Sequence, residues 1–170
     1  MFSYVTGMEV DERTVSDALR ASFEAHYAPL VRLSFLLAED PSIAEDIVQD
    51  VFVRVAERIG SIPEDERRPY LRAAVVNAWR NERRRRAIER RRSSAFVRPE
   101  GSSVGQALEE REALWRQVKR LPERQRACVV LRYYEDLPEA EIARLLGCRV
   151  GTVKSQLSRA LAKLRRSVAR

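Results

Sequence analysis

The residues best equipped for chemistry sit near the C-terminus, in GCRVGTVKSQLSRALAKLR from Gly147 to Arg165. Thr152, Lys154, Ser155, Ser158 and Arg159 supply hydroxyls and cations, and the stretch has no acidic residue. A solvated helix face ordinarily mixes Glu with Lys. Hydroxyls and cations without acids suit phosphate oxygens and base edges instead, where an arginine fork matches guanine or phosphate. Val150, Val153, Leu157, Leu161 and Leu164 recur at spacings of three and four, one stripe of an α-helix. Thr152, Ser155, Arg159 and Lys163 fall nearly opposite it.

Two further sets stand upstream. In AEDIVQDVFVRVAERI, Asp46, Asp50 and Glu57 lie at spacings of four and seven, opposite Val48 and Phe52, with Gln49 beside them. Like charges at i,i+4 repel by about 0.2–0.5 kcal/mol in an isolated helix, so the stripe fits a cationic partner; the plain alternative is a solvated face. Carboxylates paired for acid–base catalysis are the weaker option, because no nearby His, Lys or ligand set completes such a site. Next comes Asn77, Trp79, Arg80 and Asn81, running into RNERRRRAIERRR, where eight arginines, Arg84 among them, face two glutamates. Cations track phosphates, and amides and aromatics engage unstacked bases, the usual chemistry for single-stranded nucleic acid. Trp79 by itself equally suits a core.

Helices must position all three sets, since no segment alternates at period two. The spacing predicts a first helix over Ser22–Leu37, stopped by Asp40-Pro41, and a second over Ser42–Ile59. GSIPEDE (60–66) reads as a loop, and a third helix follows from about Arg68 into the arginine run. SSAFVRPEGSSVGQ is rich in Ser, Gly and Pro and reads as a flexible linker. The fifteen residues 93–107, this stretch with Ala107, reach roughly 50 Å at most. A second helical block begins near Ala107 and ends in PEAEIARLLG-CRV-GTVKSQLSRALAKLR, a short helix, a turn at Gly147 and a longer helix. Ile142, Ala143 and Leu146 pack against Val150, Val153 and Leu157, a helix-turn-helix whose second helix enters a major groove. The alternative is a helical hairpin with an incidental basic face.

Bulk properties narrow the classes. The 170 residues are 45% apolar, enough for a packed core, and the net charge is +7. Residues 1–66 hold 14 acidic and 5 basic side chains, whereas 67–98 hold 12 basic and 2 acidic. Residues 99–137 balance at 7 and 7, and 138–170 carry 8 basic against 2 acidic. Two basic zones behind an acidic front fit a polyanion and a basic protein partner. Cys128 and Cys148 form no CxxC pair, and with His26 the single histidine there is no metal-site spacing, so no metal or other cofactor is expected. The absence of a secretory leader and of any run of about 18 apolar residues predicts a cytoplasmic chain with no membrane insertion.

FEAHYAPLVRLSFLL, AEDIVQDVFVRV, RRPYLRAAVVNAWRNERRR and LPERQRACVVLRYYEDLPEAEIARLLGCRVGTVKSQLSRALAKLR, in that order, resemble bacterial RNA polymerase sigma factors of the extracytoplasmic-function (ECF) type. The resemblance covers about residues 20–168. It implies an all-α fold of two small helical domains, a region 2 bundle over 21–92 and a region 4 helix-turn-helix over 108–168, joined by a linker over 93–107 and preceded by an extension, 1–20. It implies that Asp46, Gln49 and Asp50 dock on the β′ coiled coil of core RNA polymerase. The Ser61–Glu66 loop would hold a flipped base of the −10 element, with Asn77, Arg80 and Arg84 on the same DNA. Thr152, Lys154, Ser155, Ser158 and Arg159 would read the −35 element. Further partners implied are the polymerase β flap, promoter DNA and an anti-sigma factor, and no catalytic residue is implied. A free-standing helix-turn-helix regulator would explain only residues 138–165, and a nuclease lacks its ligand cluster.

Overall fold

A computed structural model of the chain describes residues 12–92 and 115–168. The expected linker, 93–107, lies outside the described residues, as does the expected start of the second block near Ala107. Among the described residues every element is helical and no strand occurs. No helix among the described residues is long and apolar enough to cross a membrane.

Helix α1 spans Glu12–Ala38, so it starts well before the expected Ser22 and takes in part of the expected extension. Ala18, at 8% exposure, is the reason: the added turns already reach the core. Glu39 ends α1 in the left-handed region, φ 63°, with its N–H bonded to the Phe35 carbonyl at 2.8 Å. Asp40 then caps α2, Pro41–Val55, by accepting from the Ile43 N–H at 3.1 Å, and Pro41 takes the first-turn position. Ala44, Ile47, Val48, Val51, Phe52 and Val55 form its buried face.

Helix α2 stops at Val55, short of the expected Ile59, which instead opens a single 3₁₀ turn, Ile59–Ser61, and is fully buried. Helix α3, Glu64–Arg92, starts ahead of the expected Arg68. Glu64, Asp65 and Glu66 occupy its first turn, where carboxylates complement the exposed N–H groups and positive dipole end, so the last three residues of the expected loop are helix. Leu71, Val75, Val76 and Trp79 face inward.

In the C-terminal half, residues 115–119 are helical, and helix α4 covers Glu123–Val129. It runs on into a π turn, Val130–Tyr134. Helix α5 is Glu139–Leu146 and α6 is Val150–Val168. Pro138 precedes α5 without a side-chain cap, and its carbonyl accepts from the Glu141 and Ile142 N–H groups at 3.0 and 3.1 Å. Gly147 closes α5 at φ 62°, ψ 46°, a conformation that costs glycine nothing, and the Cys148 N–H returns to the Ala143 carbonyl at 3.0 Å. Val153 and Leu157 of α6 are buried with Ile142 and Ala143, as the helix-turn-helix pattern predicts. Leu145 takes the buried place expected of Leu146, which is only partly buried, and Ala160 joins the core. Val150 is an exception at 39% exposure, because it begins the helix beyond the reach of α5.

The apolar packing is continuous. Leu33, Val48, Leu71 and Val75 of the first three helices belong to the same buried cluster as Leu131, Ile142 and Val153. The two halves therefore pack against each other rather than standing apart.

Candidate nucleic-acid interface

Burial of Ile47 and Val48 turns the opposite side of α2 outward, and Asp46, Gln49 and Asp50 are all exposed on it. They line a groove between α2 and α3 with Asn81, Arg85 and Arg86 on the far wall. Asp50 pairs with Arg54 at 3.0 Å, one turn on, with both side chains more than 60% exposed. Glu57 lies past the end of α2, so the acidic stripe is shorter than its spacing suggests. Glu82 is held below the usual carboxylate range, mainly by its hydrogen bond from Arg85, with Arg86 adding to it. An exposed carboxylate–amide face flanked by a groove suits a basic helix.

Across α3 the character reverses. Asn77 and Arg84 are exposed and Arg80 is half-buried. The Arg80 Nη1 donates to the Asn77 Oδ1 at 3.4 Å and to the Leu145 carbonyl at 3.0 Å. Trp79 is a core residue at 4% exposure, with the Arg83 guanidinium 5.6 Å from its ring centroid. Asn81 faces the α2 groove, away from Asn77. Ser61 is exposed at the other end of α3, where its hydroxyl donates to the Arg58 carbonyl at 2.8 Å.

On α6, Lys154, Ser158 and Arg159 are exposed and Ser155 is partly so, its hydroxyl donating to the Thr152 carbonyl at 2.9 Å. Lys154 stands 3.8 Å from Glu139 of α5, a pair open to solvent. Thr152 is displaced from the centre of this face. It lines a cleft with Arg80, Arg83 and Arg84, so the structure brings together groups from the two separate DNA-facing sets.

Sequence spacing gave no sign of the polar groups that join the halves. Arg72, buried at 8% exposure, sits 2.7 Å from Glu141 and 3.5 Å from Glu135, which Arg68 also reaches at 3.4 Å. The π turn aims Glu135 there, and π turns have no short sequence signature. Arg126, 5% exposed, bonds the Leu37 carbonyl at 3.2 Å and pairs with Glu39 at 2.9 Å. Burial lowers the Arg126 pKa, opposed by Glu39 and Glu123. Burial pushes the Cys128 thiol up to about 11, with Cys148 adding to it, which leaves Cys128 a poor nucleophile. Among the described residues no cluster of His, Cys, Asp and Glu could hold a metal ion.

Comparison with known proteins finds relatives for both halves of the chain. The sigma-70 region 2 family matches residues 22–88, and the sigma-70 region 4 family matches 111–164. The RNA polymerase sigma-E factor of Streptomyces coelicolor is 35% identical over 138 residues, covering 80% of this chain and 77% of that protein. The ECF RNA polymerase sigma factor SigM of Mycobacterium tuberculosis is 34% identical over 145 residues, 85% of this chain and 74% of that one. Among solved structures, the sigma factor RpoE of Bartonella quintana shares the fold with a TM-score of 0.68 at 21% identity, covering 95% of this chain and 98% of that one. With both regions matched in order and relatives of this similarity over most of its length, the chain belongs to the ECF sigma factors of bacterial RNA polymerase.

Proposed function

We propose that the chain binds core RNA polymerase through the α2 face of Asp46, Gln49 and Asp50, and holds promoter DNA through α3 and α6. What supports this most is the exposure of Asp46, Gln49 and Asp50 on α2 and of cationic groups on α3 and α6, within two matched sigma regions. Exposed acids and an amide occupy one side of the α2–α3 pair, while Asn77, Arg80 and Arg84 occupy another side of α3. The acidic face meets the β′ coiled coil, and the C-terminal half meets the β flap.

Asn77, Arg80 and Arg84 take the melted −10 strand, with Ser61 and its neighbours receiving an extruded base. Extrusion costs a few kcal/mol in lost stacking and pairing, and contacts in the pocket offset it. Lys154, Ser155, Ser158 and Arg159 read the −35 duplex, with Thr152 at the edge of that face. The chain itself carries no catalytic step, since nucleotide addition belongs to the polymerase. Binding by an anti-sigma factor is supported by the solved relatives, RpoE with NepR and CnrH with the cytosolic domain of CnrY. A free-standing regulator leaves residues 22–88 and the α2 groove without a role.

Gel filtration of the full chain with bacterial core polymerase at low salt tests the first step. Co-elution is expected, and separate elution contradicts the proposal.

A further inference from the structure

We propose that the recess beside α3 and the helix-turn-helix is a binding site for a compact diphosphate, either inorganic pyrophosphate or the diphosphate end of a nucleotide. Arg80, Arg83 and Arg84 of α3 line it together with Arg124 of α4 and with Thr152 and Gln156 of α6. Among the described residues no acidic side chain lines it.

Four guanidiniums gathered in one recess repel one another, and an anion among them removes that cost. The protein itself supplies little counter-charge. Glu123 approaches Arg83 only to 3.8 Å, and neither Arg84 nor Arg124 has an ion-pair partner among the described residues. The Arg80 Nη1 donates to the Leu145 carbonyl and the Asn77 Oδ1, both neutral acceptors. The Arg83 Nε–H is buried without an acceptor. Arginine forks match phosphate oxygens two at a time, and Thr152 and Gln156 bring neutral donors to the same recess.

Size and charge select the ligand. The recess encloses about 160 Å³. A cavity of about 150 Å³ accepts a benzene-sized molecule, so this one takes a diphosphate and leaves any attached nucleoside outside. A single phosphate group carries at most about two negative charges near neutral pH, too few for four arginines, whereas two linked phosphates carry more. Trp79 and Ala127, both buried, form an apolar part of the wall, and the low local dielectric strengthens each charge-assisted bond. A nucleic-acid strand suits the recess less well, because helices of both halves wall a space of only a few heavy atoms.

Arg80, Arg84 and Thr152 are shared with the promoter contacts proposed above, whereas Arg83, Arg124 and Gln156 are not. The test therefore uses the second group, and its failure leaves the polymerase and promoter reading untouched. Isothermal titration calorimetry is run on the full chain at constant ionic strength, with pyrophosphate, orthophosphate and guanosine diphosphate as titrants. Arg124→Glu and Gln156→Glu each put a carboxylate into the recess. Arg20→Glu, at an exposed position of α1 outside the recess, makes the same charge change as Arg124→Glu and serves as the control. Circular dichroism melts verify folding, and the nearly isosteric Gln156→Glu keeps the test open should Arg124→Glu not fold.

Pyrophosphate should saturate a single site and bind about tenfold more tightly than orthophosphate. Both recess variants should weaken it about tenfold, the loss of one charge-assisted bond, and Arg20→Glu should change it by less than about twofold. Guanosine diphosphate binding as tightly as pyrophosphate would identify a nucleotide as the source of the diphosphate, and much weaker binding would identify free pyrophosphate. No saturable binding of either diphosphate overturns the site, as does a loss in Arg20→Glu equal to that in Arg124→Glu. A mixed-sequence single strand that loses affinity in Arg124→Glu, while pyrophosphate does not bind the wild type, assigns these arginines to nucleic acid and also overturns it.

Discussion

The Arg80 guanidinium donates to the Leu145 carbonyl across 3.0 Å, which ties the middle of α3 to the turn of the helix-turn-helix. The last carbonyls of a helix have no partner within it, so a cation near them is favoured both as donor and by the helix dipole. Gly147 sits directly beneath that guanidinium at φ 62°.

Gly147→Ala should therefore destabilise the chain in two ways. A left-handed non-glycine residue costs roughly 1–2 kcal/mol, and the new methyl displaces the Arg80 side chain. Urea unfolding of wild type, Gly147→Ala, Arg80→Ala and the double variant separates the contributions. The penalty of Gly147→Ala should be smaller in the Arg80→Ala background. An equal penalty in both backgrounds would show that the guanidinium does not crowd the turn.

Asp46→Arg reverses charge on the exposed face of α2 without touching the buried side. Affinity for core polymerase should fall, while the thermal midpoint stays close to that of the wild type. Competition against the unmodified chain for a limiting amount of core polymerase reads this directly, and undiminished competition would count against the acidic face.

Much of this was legible in the sequence because it depends on local rules. The Asp40-Pro41 junction announced both the end of α1 and the cap of α2, and Gly147 announced the turn. The boundaries that slipped were set by tertiary packing. Ala18 draws the start of α1 forward by reaching the core, and Ile59 leaves α2 yet remains fully buried. The outward orientation of Asp46, Gln49, Lys154, Ser158 and Arg159 followed from helical periodicity. The turning of Thr152 into a cleft and the burial of Arg72 and Arg126 did not, since each depends on a partner more than sixty residues away in sequence for Arg72 and more than eighty for Arg126.

Arg159 is exposed near the middle of α6, well placed to reach a base or a phosphate. Arg159→Ala should weaken −35 recognition by about 1–3 kcal/mol if it reads a base, and it should do so at one position of the element. Binding selections from a randomised −35 duplex with the polymerase complex would reveal this. A uniform loss across all sequences would assign Arg159 to phosphate instead.

His26, on α1, faces the start of α3 beside Glu64, Asp65 and Arg67. Burial lowers its pKa from 6.5, and the positive charges of Arg68 and Arg67 lower it further. Its neutral form is favoured by the fold, so the unfolded chain takes up the proton first on acidification. The stabilisation is complete above the ordinary value of 6.5 and is lost as the pH falls below it towards the depressed folded value. Denaturant unfolding at neutral pH and at about pH 5.5 should show wild type losing more stability than His26→Gln on acidification. Equal losses would mean that His26 is not responsible.

Run-off transcription with purified bacterial core polymerase is the most direct measurement of what this chain does. Templates selected from genomic fragments should yield discrete initiation sites only when the chain is added, and Asp46→Arg and Arg159→Ala should each reduce them. Initiation from the same sites at the same level without the chain would contradict its role as a sigma factor.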